Sequence, residues 1–147
     1  MNQPQLSSAD SNTIANNYLN IAAFCSAKGA YQQAYNYDSK VIYFYKSNNS
    51  SHYLRALISI CSDAFRVEDY QKSIKYGHRC LQIIKKIPQK DQAVMYEEVY
   101  NYIGLSFMNL SQFDSSAIYL KKEIPFSKHQ NLSLIKMSYA TFIIRTK

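Results

Sequence analysis

A chain of 147 residues with only 3 Gly and 3 Pro holds too few turn formers for an all-β fold and enough length for one core, not two. Its 17 Lys and Arg against 10 Asp and Glu give a formal charge of +7, which favours acidic partners without choosing among peptide, nucleic acid and anionic membrane. Three cysteines with no CxxC pair and no Cys/His ligand spacing indicate neither a disulfide framework nor a zinc site, and point to a reducing compartment. Tyr occurs 14 times and Trp not at all, a composition suited to half-buried seams between helices.

The first ten residues are polar and are expected to form a disordered tail, so the folded domain is expected over 11–147. Met1 to Ser8 has neither a basic start nor an apolar run, and no segment is long and apolar enough for a bilayer. The expectation is a soluble, cytoplasmic protein without a membrane anchor. A first helix is predicted from Asp10 or Ser11, either of which suits an N-cap, to about Lys28, with Gly29 placed as a C-terminal cap. A second is predicted from Ala30 or Tyr31 to about Lys46, before the polar stretch Ser47 to Ser51. His52 to Arg66 forms the third, the chain turns at Val67 and Glu68, and Asp69 caps a fourth that runs to Lys86 ahead of Pro88. The fifth runs from about Gln92 to Asn109, the sixth from beyond Ser111 to before Pro125, and the seventh from Asn131 to about Arg145.

Residues placed 100° apart check these assignments. Tyr96, Val99, Tyr100, Ile103, Phe107 and Leu110 fall on one stripe of the fifth helix. In the fourth, Tyr70, Ile74, Gly77, Leu81 and Ile84 share one side, opposite Lys72, Lys75, Arg79 and Lys86. A hairpin with one such stripe needs neighbours to cover it, so the pairs should stack.

Three segments echo one another: Tyr18, Ile21, Ala22 and Cys25; Leu57, Ile60, Cys61 and Ala64; Tyr100, Ile103, Gly104 and Phe107. Each is followed at a fixed offset by an aromatic, Tyr31, Tyr70 or Phe113, and three residues later by Ala34, Ser73 or Ser116. On these residues the chain resembles the tetratricopeptide repeat family, whose helix-turn-helix unit carries this spacing. The resemblance implies an all-α solenoid of antiparallel hairpins with about seven helices, its repeats near 15–51, 52–91 and 92–130 and an extra or truncated helix over 131–145. The second repeat departs from the pattern, with Cys61 where glycine is expected and Gly77 at an aromatic position held by Asp38 and Leu120 in the other two. Tyr31 to Tyr70 is 39 residues and Tyr70 to Phe113 is 43, both longer than the family's usual 34 or so. Lengthened, tyrosine-rich repeats of this kind look like those of bacterial regulatory and sensor proteins.

In this family partners dock in the concave groove lined by the first helix of each repeat. The resemblance therefore nominates Asn16, Asn20, Arg55, Ser59, Ser62, Arg66, Glu98, Asn101 and Tyr102. Asn, Ser and Arg there suit an extended peptide backbone and Tyr102 a flat apolar contact; the alternative is that they are plain solvated faces. A family subset clamps chaperone tails with Lys and Asn, positions held here by Leu19 and Ala23, which disfavours that ligand. The basic face of Lys72, Lys75, Arg79 and Lys86, with Lys85 and His78 nearby, is an ordinary solvent face or else a contact for nucleic acid, although the uneven intervals suit no one-base-per-repeat code.

No phosphate-binding glycine loop, nucleophile elbow or paired acid and base is present in the sequence, and His78 and Cys80 diverge by about 200° on their helix. Cys25, Cys61 and Cys80 occupy small packed positions. The expectation is a non-catalytic protein-interaction module, regulatory or scaffolding, with no cofactor and no metal. The alternative is a helical repeat protein associated with nucleic acid. Apolar residues almost encircle the seventh helix, among them Leu132, Leu134, Ile135, Met137, Tyr139, Phe142 and Ile143. Either the array continues in a longer regulator or another copy covers this helix by self-association.

Overall fold

Seven helices fill the computed structural model, which describes residues 8–45, 51–126 and 130–145. They are α1 (Ser8–Ala27), α2 (Tyr31–Phe44), α3 (Ser51–Arg66), α4 (Tyr70–Ile84), α5 (Gln89–Asn109), α6 (Phe113–Glu123) and α7 (Gln130–Arg145). No strand occurs among the described residues. Consecutive helices pack on each other, and α3 also packs on α1 and on α5, an arrangement consistent with a helical repeat.

One turn is built three times. After α1 the N–H of Gly29 bonds Ser26 O and that of Ala30 bonds Cys25 O; after α3, Glu68 bonds Phe65 O and Asp69 bonds Ala64 O; after α5, Ser111 bonds Met108 O and Gln112 bonds Phe107 O. Each is a Schellman pair, closed by a residue in the left-handed region: Gly29 (φ 76°), Glu68 (φ 64°) and Ser111 (φ 58°). The turns sit at the spacing of the sequence echo. Asp69 caps α4 as expected, its carboxylate accepting from the Lys72 N–H at 3.1 Å.

Two expected boundaries move. The first helix begins at Ser8 and not at Asp10 or Ser11, so the expected tail is already helical over 8–10, with Asp10 in the first turn where it complements the helix dipole; residues 1–7 lie outside the described set. The fifth helix begins at Gln89 and not at Gln92. Pro88 precedes it in an extended conformation (ψ 135°) and the Gln92 side chain donates to Ile87 O at 2.8 Å, so the signal lay in the proline. At 21 residues α5 exceeds the 16 of α3, which absorbs much of the longer second interval. The polar loop expected over 47–51 falls mostly outside the described residues, and Ser51 opens α3.

The core is centred on α3. Leu54, Leu57, Ile60, Val41, Ile84, Val99 and Ile103 are buried almost completely, each worth roughly 1.5 to 3 kcal/mol relative to exposure. Gly77 is the exception that the sequence pattern made look degenerate. A Cβ built there would meet Ile103 Cγ1 at 2.5 Å and Cδ1 at 2.8 Å, so the missing side chain is what lets α5 close on α4. Gly104 does the same for α6, where a Cβ would lie 2.6 Å from Leu120 Cδ2. Ile21, the counterpart of Ile60 and Ile103, is 40 % exposed, because among the described residues no helix precedes α1 to cover that face.

Candidate functional site

The face of α3 turned away from α4 carries Arg55, Ser59, Ser62 and Arg66 at offsets of four, seven and eleven residues, which places all four on one stripe. A cavity of about 440 Å³ opens over this stripe between α1 and α5. Ala23, Ser26 and Ala27 form the α1 wall, and Val94, Met95 and Glu98 the α5 wall. The small residues of α1 and the apolar Val94 and Met95 of α5 line its sides, so its polar groups are concentrated on α3, with Ser26 and Glu98 on the walls.

Five of the nine nominated groove residues meet here: Arg55, Ser59, Ser62, Arg66 and Glu98. Tyr102 stands at the edge, its ring 5.6 Å from that of Phe65 and its hydroxyl facing Arg66 and Ser62. The other three do not join them. Asn16 is tied to His52, at 3.1 Å from Nε2, Asn20 is exposed on α1, and Asn101 accepts from Lys136 Nζ of α7 at 2.6 Å.

Asp63 was not nominated, and it also lines the cavity. It lies one residue beyond Ser62 and four beyond Ser59, a spacing that marks the same stripe, but a single acid on a polar helix face reads in sequence as a solvated residue. In the structure it is 5 % exposed. Ser26 Oγ donates to its Oδ2 at 2.5 Å, while Oδ1 is buried without a hydrogen-bond partner. Burial pushes its pKa up, against the Ser26 bond and the charge of Arg66. Asp63 also borders a second cavity of about 390 Å³ on the far side, lined by Tyr31, Tyr35 and Lys72 among others.

The remaining charges respond to each other. Glu98 is open along the cavity, yet the surrounding walls raise its pKa above the ordinary value while Arg66 pulls it down. Burial lowers the pKa of Arg66, but Tyr102, Tyr31 and Asp63 outweigh it and hold the guanidinium more firmly charged than usual. Arg55 is exposed at the other end; its charge, after burial, keeps the His52 pKa below the usual range.

On the opposite side of the molecule the basic face is partly committed. Lys72 Nζ lies 4.2 Å from the ring centroid of Tyr35, and Arg79 donates to the Tyr53 hydroxyl and covers its ring. Lys75 and Lys86 are exposed. His78 hydrogen-bonds the Tyr119 hydroxyl at 2.9 Å, and His129 lies outside the described residues. All three cysteines are buried free thiols; burial pushes the Cys61 pKa up to about 12 and that of Cys80 well above its ordinary value. Among the described residues, no group of three His, Cys, Asp or Glu side chains is placed to hold a metal ion, and no helix is long and apolar enough to cross a membrane. No protein-family model matches this chain, and no curated protein matches its sequence.

Proposed function

We propose that the chain is a tetratricopeptide-like α-solenoid that works without catalysis, as a cytoplasmic regulatory or scaffolding module, by holding a peptide segment of a partner between α1, α3 and α5. The observation that carries this reading is the Arg55, Ser59, Ser62 and Arg66 stripe forming the floor of a cavity of about 440 Å³. Hydroxyl and guanidinium donors along one line suit the carbonyls and acidic groups of an extended chain, and the Val94 and Met95 wall supplies apolar contact. The threefold recurrence of one Schellman turn supports the tetratricopeptide assignment. The nucleic-acid alternative draws less support, since Lys72 and Arg79 of the basic face are laid against tyrosines of the same chain.

The test is selection from a random peptide library on the purified chain, followed by titration of the enriched peptide against the wild type and a Ser59→Trp variant that fills the cavity. The variant should bind at least about tenfold more weakly, the loss of one well-placed contact region, with its circular dichroism unchanged. Equal binding by a folded variant would remove the cavity from the function. Tight binding of mixed-sequence RNA that collapses as salt rises would favour the basic face instead.

A further inference from the structure

The cavity is electrically polarised along α3. At its Arg66 end the cavity is lined by two carboxylates, Asp63 and Glu98, and by one guanidinium, so the formal charge of the lining there is one negative. The partnerless Oδ1 of Asp63, on a residue 5 % exposed, is part of that lining. At the other end Arg55 is exposed and no carboxylate is bonded to it among the described residues. Eight residues of α helix separate Arg55 from Asp63, which is about 12 Å along the axis. An extended peptide rises about 3.4 Å per residue and returns a side chain to the same face every second position. Two ligand side chains four positions apart therefore match the axial distance, about 14 Å against about 12 Å.

Building on the peptide-holding role proposed above, we infer that the ligand is an extended segment bearing an acidic side chain over Arg55 and a cationic side chain, four residues away, over Asp63 and Glu98. A lysine ammonium or arginine guanidinium there is attracted by the charge of Asp63 and contacts the exposed Glu98. Peptides of a single charge sign meet attraction at one end and repulsion at the other, so the arrangement selects against them as well as for the mixed segment. The +7 net charge of the chain would by itself favour uniformly acidic ligands, and the inference predicts the opposite ranking.

The experiment uses five blocked pentapeptides, acetylated and amidated so that only side chains carry charge. One has aspartate first and lysine fifth, one the reverse order, one aspartate at both positions, one lysine at both, and one serine at both. Binding is followed by nitrogen-15 NMR shifts of the full chain. The two mixed-charge peptides, which can run in either direction along α3, should bind at least about tenfold more tightly than the other three. An Arg55→Glu variant, altered at an exposed position, should lose that preference and instead favour the peptide with lysine at both positions. Glu98→Gln, also at an exposed position, should narrow the gap between the mixed and the all-aspartate peptides. Comparable affinity for all five, with shifts at Ser59 and Ser62, would overturn the charge pairing and leave the peptide-holding role standing. Strongest binding by the all-aspartate peptide would overturn the pairing in the same way. An absence of shifts at the cavity with every peptide, alongside no enriched sequence from the random library, would overturn both.

Discussion

Asp38 brings a carboxyl from α2 to a site of zero exposure, where both oxygens lack a hydrogen-bond partner and the nearby Ser59 hydroxyl offsets only a fraction of the burial. Burial first, and the charge of Asp63 in addition, push its pKa up to about 7. Folding therefore favours the protonated acid. Below the ordinary carboxylate range both folded and unfolded chains carry the proton and the group is neutral to stability; as pH rises towards 7 the unfolded chain ionises while the folded one resists. Stability is lost across that window by up to roughly 4 kcal/mol, at 1.36 kcal/mol per pH unit. Asp38→Asn should flatten this dependence and leave the variant about 1 to 3 kcal/mol more stable than wild type at pH 8. Urea melts at acid and mildly alkaline pH measure it, and an unchanged slope in the variant would show that another group titrates. Asp63 shifts in the same direction, so a residual slope is expected. The repeat register put Asp38 at the position of Leu120, a packed one, whereas Asp63 was not legible as buried, because an isolated aspartate on a polar helix face is indistinguishable from a solvated one.

The repeated turns govern the elements. Gly29 could be read from sequence as a cap because glycine enters the left-handed region at little cost; Glu68 and Ser111 could not, since the same conformation there is imposed by the helices on either side. Replacing either with glycine should relieve that strain and stabilise the fold by about 0.5 to 1 kcal/mol, readable as a higher midpoint in thermal denaturation. Glycine at position 77 works in the other direction. Its alanine variant gains helix propensity but drives a methyl group into Ile103, which is itself fully buried. A net loss of about 1 to 3 kcal/mol is expected, recovered to some extent by Ile103→Val, and a neutral Gly77→Ala would mean that α4 and α5 separate freely. The period of the apolar residues made the helices legible. The close approach at Gly77 was not, because a glycine at a nominally aromatic position looks in one sequence like decay of the repeat.

At the scale of the molecule, helix order and pairing followed from hydrophobic spacing, and Arg55, Ser59, Ser62, Arg66 and Glu98, nominated through the family resemblance, line one cavity. Asn101 fell elsewhere because α7 claims it. Lys136 bonds Asn101 and lies 3.8 Å from Glu123 Oε1, and Ala140 is buried where α7 packs on α6. That contact uses one side of α7. Leu132, Leu134, Ile135, Tyr139 and Phe142 are each more than 40 % exposed, and exposed apolar side chains in such number on one helix favour association. Light scattering across a dilution series should show mass rising with concentration, and Ile135→Lys should suppress the rise without changing helicity. A monomer at every concentration would mean that this surface is tolerated in water.

Each of the first two hairpins encloses thiols that solvent does not reach freely: Cys25 (8 % exposed) in the first, and Cys61 and Cys80 (both 0 %) in the second. The third, α5 with α6, holds none. A thiol-modifying reagent therefore acts as a clock on internal breathing, since a sulfur reacts only when its own hairpin opens. If the hairpins open independently, Cys61 and Cys80 will become reactive together at one denaturant concentration and the reactivity of Cys25 will rise at another. If the stack opens as one cooperative body, all three will be alkylated together.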